Sequence, residues 1–201
     1  MTAGADDPVA DDRETPPASI YNIANLLTLL RIALVPLFLW VLFQEGTGWR
    51  LAAFAVFAVA SITDKIDGDI ARARGLVTDF GKIADPIADK ALTGAALISL
   101  SILGELWWWV TAAIIVREIG ITLLRLVVIR YGVIPASKGG KLKTMLQVIA
   151  IGLFILPGPL DPIRWATMAA ALVVTLVTGV DYIAQAWRLR HGRTRPQGES
   201  A

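Results

Sequence analysis

Four aspartates at helical spacing carry the chemistry that this sequence predicts. Asp64 and Asp67 lie three residues apart, and Asp85 and Asp89 lie four apart, so each pair falls on one face of a helix. A short turn around Gly75 would let two antiparallel helices bring both faces together. Packed carboxylates repel one another unless cations neutralise them, and a site of oxygen ligands alone favours Mg²⁺ or Mn²⁺. The spacing therefore predicts two divalent ions, an arrangement suited to phosphoryl transfer.

The depth of Asp64 in an apolar helix makes a purely structural role difficult. The preceding run, 51–62, spans about 18 Å at 1.5 Å per residue, against a hydrocarbon core of roughly 30 Å. Counted from Trp49, Asp64 lies about 22 Å along the helix. An aspartate at mid-membrane costs roughly 2.5–3.5 kcal/mol, whereas a leucine returns only about 0.3–0.6 kcal/mol. We therefore expect these carboxylates to face a wet cavity, a cation or a ligand.

The composition indicates a membrane protein. The chain has 201 residues, of which 55% are hydrophobic and 18% charged, whereas soluble domains carry about 25% charge. Mean hydropathy is +0.61, so membrane lipid is the expected surrounding. A formal net charge of +2 does not indicate a nucleic-acid partner. Cysteine is absent and His191 is the one histidine, which excludes a thiolate metal site and a histidine-based triad.

Long apolar stretches separated by Gly and Pro predict the fold class. We expect an all-α, polytopic membrane protein with six transmembrane helices, near 22–44, 50–73, 80–104, 107–131, 142–158 and 162–187. Residues 1–19 are acidic and Pro-rich, which predicts a disordered tail. The predicted membrane domain then covers 20–188, and a basic C-terminal tail covers 189–201.

Charge asymmetry predicts the orientation. Most Lys and Arg residues fall at one set of helix ends, and the opposite ends carry Trp49, Trp165 and the run 107–109. Cytoplasmic loops are enriched in Lys and Arg, and Trp is enriched at membrane interfaces. We therefore expect a multi-pass protein of the plasma membrane, with both termini cytoplasmic and the active site at the cytoplasmic side.

Other interpretations of the acidic residues differ in what they require. The aspartates could pair with nearby cations such as Lys65, Arg72 and Lys90 at a solvated helix end, but such pairing would not require four aspartates on two matched helix faces. Acidic residues at depth also mark cation transporters, which typically show broken helices or inverted repeats; the sequence shows neither. A non-catalytic membrane scaffold would not need four convergent carboxylates.

The segment DKIDGDIARARGLVTDFGKIADPIADK, residues 64–90, fills every fixed position of D-x-x-D-G-x-x-A-R-x8-G-x3-D-x3-D. It resembles the signature of the CDP-alcohol phosphotransferases, membrane enzymes with six transmembrane helices. Residues 22–38, 115–125 and 140–147 are similar to the branch that uses sn-glycerol 3-phosphate. The resemblance covers roughly 20–188 and implies a homodimer.

The resemblance implies a role for each matched position. Asp64, Asp67 and Asp85 would be metal ligands, and Asp89 would be both a metal ligand and the general base. Residues expected to contact CDP-diacylglycerol are Gly68, Arg72, Thr78 and Thr28. Thr28 could instead bond its own helix backbone.

An anionic acceptor would need a cationic pocket. The residues expected to bind its phosphate are Arg117, Lys141, Lys143 and Arg31. Lysines in this region could instead satisfy only the positive-inside bias, and Arg117 could pair structurally with Glu118 or Asp181.

The implied reaction transfers the phosphatidyl group from CDP-diacylglycerol to sn-glycerol 3-phosphate, giving phosphatidylglycerophosphate and CMP. The same chemistry with another acceptor, phosphatidylglycerol or inositol phosphate, is the alternative. A cation transporter remains the alternative from a different class.

Overall fold

The computed structural model describes the backbone of residues 23–74, 79–128 and 138–192. Side chains are described for residues 26–63, 90–124 and 140–188. Within these ranges the chain is all-helical and contains no strand, as the sequence predicts.

The apolar stretches form six helices in the described residues: α1 (Ile23–Leu42), α2 (Thr47–Arg74), α3 (Asp79–Ile102), α4 (Trp108–Val128), α5 (Lys138–Ile155) and α6 (Asp161–Gly192). Two boundaries differ from the expected ones by four residues or more. Helix α5 begins at Lys138 because a glycine costs a helix only about 1 kcal/mol relative to alanine, and Gly139 and Gly140 fall in its first turn. Helix α6 runs to Gly192 because no proline interrupts its basic last turn, which suits the helix dipole.

The helices pack through small and aromatic residues around one core. Helix α1 packs mainly on α2 and α3, α5 on α6, and α4 on α6, with α2 and α3 contacting α5. Ala53, Ala96 and Ala150 are completely buried, and such small side chains let helix backbones approach closely. Phe38 and Phe57 fill the space between α1 and α2, with ring centroids 5.8 Å apart. This packing fixes the relative positions of the helices that carry the polar residues.

The tryptophans gather at one end of the bundle. Trp40 at the end of α1 contacts Trp49 edge-to-face, with ring centroids 5.5 Å apart. The ring of Trp107, just before α4, contacts the ring of Trp165 on α6, with centroids 4.3 Å apart. An ion pair between Arg50 and Glu105 joins α2 to the α3–α4 turn at the same end. We refer to this as the tryptophan end; helix starts and ends alternate between it and the opposite end.

The apolar segments of the helices differ in whether they are long enough to cross a membrane. In the described part of the chain, one segment, Asp161–Arg188, is both long and apolar enough to cross a membrane. Shorter apolar helices cover Leu26–Leu42, Thr47–Thr63 and Lys90–Ile102. Large apolar side chains lie on the outside of the bundle, among them Val116, Val180 and Trp187, each about two-thirds exposed. Insertion of all six helices in a membrane stays a prediction.

The contact between α2 and α5 provides a test of the packing. A Cβ on Gly152 would meet Cε2 of Phe54 at 3.2 Å, so a branched side chain has no room there. We expect Gly152→Val to destabilise the protein by about 1–3 kcal/mol, as overpacked cores do. Thermal unfolding in detergent measures this effect. The matched control is Gly120→Val on α4, where a Cβ meets nothing within 4 Å; equal melting temperatures for the two variants would contradict the described contact.

Candidate active site

The four aspartates fall on two consecutive helices that contact each other. Asp64 and Asp67 precede the end of α2, and Asp85 and Asp89 follow the start of α3. Asp64 lies ten residues from the end of α2 and Asp89 ten residues from the start of α3, so both lie about 15 Å along their helices from the intervening segment. Asp67 and Asp85 lie at about 10 Å by the same count. The backbone therefore places the two pairs at matching levels of a helical hairpin.

The side chains of residues 64–89 in this hairpin lie outside the described residues. This applies to the four aspartates and to Gly68 and Arg72, while Thr78 falls in the gap 75–78. Among the residues whose side chains are described, no three His, Cys, Asp or Glu residues gather closely enough to hold a metal ion. The metal and nucleotide sites therefore stay predictions.

A carboxylate that binds three cations lies next to this hairpin. Glu118 of α4 accepts from Lys143 Nζ of α5 at 2.6 Å and from Arg117 Nη1 at 3.0 Å, both on Oε1. Its Oε2 accepts from Lys90 Nζ of α3 at 3.3 Å. Lys90 directly follows Asp89 in the chain. We call Lys90, Arg117, Glu118 and Lys143 the charge cluster.

The charge cluster is also fixed to α6. Arg117 Nε donates to the carbonyl oxygen of Thr175 at 3.0 Å, and Nη2 donates to Oγ1 of Thr178 at 2.7 Å. The chain has room for this because Gly179 has no side chain; a Cβ there would lie 3.3 Å from Cγ of Arg117. Three of the five guanidinium N–H groups are thus engaged by residues whose side chains or backbone the structure describes, and two N–H groups have no partner among those residues.

The structure decides between the two partners proposed for Arg117. Arg117 pairs with Glu118, whereas the carboxylate of Asp181 accepts from Gln185 at 2.8 Å. A structural contribution of Arg117 is therefore evident, and a contact to the acceptor phosphate would use its two remaining N–H groups.

The other residues predicted to bind the acceptor lie in different surroundings. Lys143 is buried and belongs to the charge cluster. Lys141, two residues earlier, is exposed. Thr28 and Arg31 are both buried on α1, which packs against α2 and α3. The structure thus brings Arg117 and Lys143 together on one carboxylate.

Two members of the cluster were missed by the sequence reasoning. Glu118 was considered only as a partner of Arg117, and Lys90 only as a possible partner of the signature aspartates at a solvated helix end. A signal was available: a carboxylate within a long apolar stretch needs more than one partner to offset its desolvation. The sequence separations of 28 and 25 residues from its lysines gave no local pattern to reveal them.

The cluster lies deep in the bundle and carries excess positive charge. Glu118 is ten residues from Trp108 along α4, or about 15 Å from the tryptophan end. Lys90 is twelve residues from the end of α3, or about 18 Å. Three cations against one carboxylate leave a formal excess of two positive charges. Such an excess at this depth can attract an anion with two negative charges.

The cluster predicts an unusual response to loss of its carboxylate. Glu118→Gln would leave three neighbouring cations without an anion, and breaking a buried ion pair typically costs about 3–5 kcal/mol. We expect a fall in thermal stability that Lys143→Met partly restores in the double variant, because one surplus cation is then removed. The control is Glu105→Gln, which breaks the Arg50 pair at the tryptophan end. A double variant less stable than Glu118→Gln alone would contradict charge repulsion as the cause.

Comparison with known proteins agrees with the signature on α2 and α3. A family model described as CDP-alcohol phosphatidyltransferase matches residues 21–177. A probable phosphatidylglycerophosphate synthase of Mycobacterium tuberculosis (strain H37Rv) is 57% identical over 176 residues, covering 85% of this chain and 84% of the relative.

Two relatives from other bacteria are named CDP-diacylglycerol–glycerol-3-phosphate 3-phosphatidyltransferase. The Bacillus subtilis (strain 168) protein is 38% identical, covering 84% of this chain and 96% of its own length. The Escherichia coli (strain K12) protein is 36% identical, covering 83% and 95%. The family match extends over most of the chain and includes all four aspartates, so the chain belongs to the CDP-alcohol phosphatidyltransferase family.

Proposed function

We propose that this enzyme transfers the phosphatidyl group of CDP-diacylglycerol to sn-glycerol 3-phosphate, releasing CMP and phosphatidylglycerophosphate. The observation that carries the proposal is the complete signature, whose two aspartate pairs lie at matching levels of α2 and α3. The names of the relatives favour glycerol 3-phosphate over phosphatidylglycerol or inositol phosphate as acceptor. They equally favour a transferase over a cation transporter.

Asp64, Asp67, Asp85 and Asp89 would hold two divalent cations, Mg²⁺ or Mn²⁺. The fit rests on the donor set, because four carboxylates on contacting helices supply only hard oxygen ligands. Bound there, the ions would polarise the phosphorus and neutralise the leaving CMP.

The remaining steps belong to the protein's own residues. Asp89 would accept the proton of the acceptor hydroxyl, which attacks in line with the departing CMP. Gly68 would let the nucleotide approach the α2 backbone, and Arg72 would contact the pyrophosphate. Thr78 and Thr28 would contribute hydroxyl contacts to the donor substrate. The bond formed joins the acceptor oxygen to phosphorus, and the bond broken is the phosphoanhydride to CMP.

The acceptor phosphate would bind to Arg117, Lys141, Lys143 and Arg31. The excess positive charge of the charge cluster supports this assignment, since a phosphate monoester carries nearly two negative charges at neutral pH. Counting only partners in the described part of the chain, Lys143 has two N–H groups beyond its bond to Glu118, and Arg117 has two as well.

The membrane arrangement completes the proposal. Six transmembrane helices with both termini cytoplasmic would put the aspartates at headgroup depth, so that the acyl chains of the donor stay in lipid. The domain would extend over 20–188, between an acidic tail and a basic tail, and would assemble as a homodimer. Apolar side chains on the outside of the described helices support contact with lipid.

Release of CMP tests the reaction directly. Purified protein in detergent, given CDP-diacylglycerol and Mg²⁺, should release CMP when glycerol 3-phosphate is added, and chelation should stop it. Phosphatidylglycerol and inositol phosphate in separate reactions should give none. Release with either of these and not with glycerol 3-phosphate would replace the proposed acceptor.

Asp89→Asn tests the proposed base. The amide cannot accept the proton and loses a ligand charge, so we expect turnover to fall by at least about 100-fold while the protein stays folded. Asp161→Asn, at the tryptophan end, applies the same substitution where Asp161 pairs only with Arg164 at 3.2 Å among the described residues. Normal turnover of Asp89→Asn would remove that residue from the base role.

Arg117→Ala tests the acceptor site. Loss of the guanidinium should raise the KM for glycerol 3-phosphate by about ten-fold or more, with a much smaller change for CDP-diacylglycerol, because hydrogen bonds to charged groups are worth about 1.5–3 kcal/mol. Steady-state kinetics with each substrate varied in turn make the comparison. An equal loss for both substrates would assign Arg117 a structural role through Glu118 and α6.

A further inference from the structure

A cavity of about 340 Å³ opens between α3, α4 and α5 beside the charge cluster. Lys90, Glu118, Lys143 and Gln147 line it together with apolar residues that include Leu97. Gln147 lies four residues after Lys143 on α5, so the two side chains share one face of that helix. The polar groups of three helices therefore meet at one place in a mostly apolar cavity.

Gln147 has a buried donor that nothing in the described structure accepts. Its side chain is 97% buried, and its Nε2 has no hydrogen-bond partner among the described residues. A buried donor without an acceptor loses its hydration with no compensation, and buried polar groups in native proteins are nearly always paired. Because Gln147 lines the cavity, an acceptor held there would satisfy this N–H.

The lysines add further donors and no acceptors. Lys90 and Lys143 each make one hydrogen bond to Glu118 within the described residues, and an ammonium group has three N–H bonds. Both oxygens of Glu118 are already engaged. Donors thus outnumber acceptors, and the local charge is positive. The chemical class that meets both conditions is an anion with several oxygen acceptors, of which a phosphate group is the common form.

We propose that this cavity is a phosphate-binding site, in which Gln147 Nε2 and the ammonium groups of Lys90 and Lys143 bind the phosphate oxygens. Glu118 acts as a positioning residue, because it holds both lysines at the cavity without contacting the phosphate. The inference rests on the proposed function for the molecule that carries the phosphate: either the soluble acceptor or a phospholipid whose chain follows the apolar wall. Gln147 and Lys90 extend the acceptor site beyond the residues assigned above.

Binding without turnover tests the site. Purified protein in detergent with EDTA and without CDP-diacylglycerol is titrated with radiolabelled glycerol 3-phosphate in equilibrium dialysis, and inorganic phosphate serves as competitor. A second arm measures how much phosphatidic acid, a lipid with a phosphate monoester, the protein retains in mixed micelles. The variants are Gln147→Leu and Lys90→Met. The matched control is Gln44→Leu, since Gln44 bonds the carbonyl oxygen of Trp40 at the tryptophan end.

The proposal expects opposite changes in stability and binding for Gln147→Leu. Removal of an orphaned donor should leave the melting temperature of the ligand-free protein equal or higher, whereas phosphate affinity should fall about ten-fold or more. Lys90→Met should lose affinity similarly, and Gln44→Leu should match the wild type. Binding of glycerol 3-phosphate identifies the soluble acceptor; retention of phosphatidic acid alone identifies a lipid. Unchanged binding in Gln147→Leu and Lys90→Met in both arms would overturn the site.

The two proposals fail in different experiments. If the wild type binds phosphate through Gln147 but releases no CMP with any acceptor, the site stands and the proposed reaction is wrong. If the wild type releases CMP and Gln147→Leu keeps both normal phosphate binding and a normal KM for glycerol 3-phosphate, the reaction stands and the site is wrong. Lower melting temperature together with unchanged phosphate binding in Gln147→Leu would make Gln147 a packing residue and would also overturn the site.

Discussion

The bonds that Glu118 makes to Lys90, Arg117 and Lys143 are the interaction on which the interior of this bundle depends. A carboxylate or an ammonium group between apolar helices loses several kcal/mol of hydration, and only a partner of opposite charge offsets the loss. Here one carboxylate serves three cations, which come from α3, α4 and α5. Because all three cations pair with the same carboxylate, the four side chains form one unit.

This constraint joins the polar unit to the helix packing. Arg117 extends the unit to α6 through Thr175 and Thr178, so four helices meet at one level of the bundle. The tryptophan end is held differently, by edge-to-face and tilted contacts between tryptophan rings and by the pair of Arg50 with Glu105. Between these two levels the core is mostly aliphatic and aromatic, but it also holds Gln147 and the hydrogen-bonded hydroxyls of Ser101 and Thr111. The helices that bear the aspartates are thereby fixed at one end by aromatic contacts and, through Lys90 of α3, near the candidate site.

Sequence reasoning predicted the features of the fold that depend on local sequence patterns. The six helices follow from apolar length and from Gly and Pro breaks, and the levels of Asp64 and Asp89 follow from helical spacing. The start of α5 was misplaced because Gly139 and Gly140 read as a break, although the first turn of a helix tolerates them. Arg117 and Lys143 were selected because an anionic acceptor would need a cationic pocket, and the structure places both on one carboxylate. The threefold pairing of Glu118 was not predictable, because it joins residues on three helices whose relative rotation only packing decides.

The same pairing explains why a cationic pocket can exist here at all. Three cations alone would repel one another strongly in a medium of low dielectric constant, and four paired charges would attract no ligand. One carboxylate among three cations leaves an excess of two, which one phosphate monoester dianion would neutralise. Gln147 adds a neutral donor to the same cavity, which increases the number of hydrogen bonds without increasing the repulsion. A site arranged in this way favours a dianion over a monoanion by charge, and a phosphate over a carboxylate by its number of oxygen acceptors. In the proposed site, the composition of the cluster would therefore set the kind of ligand that binds, whichever molecule carries the phosphate.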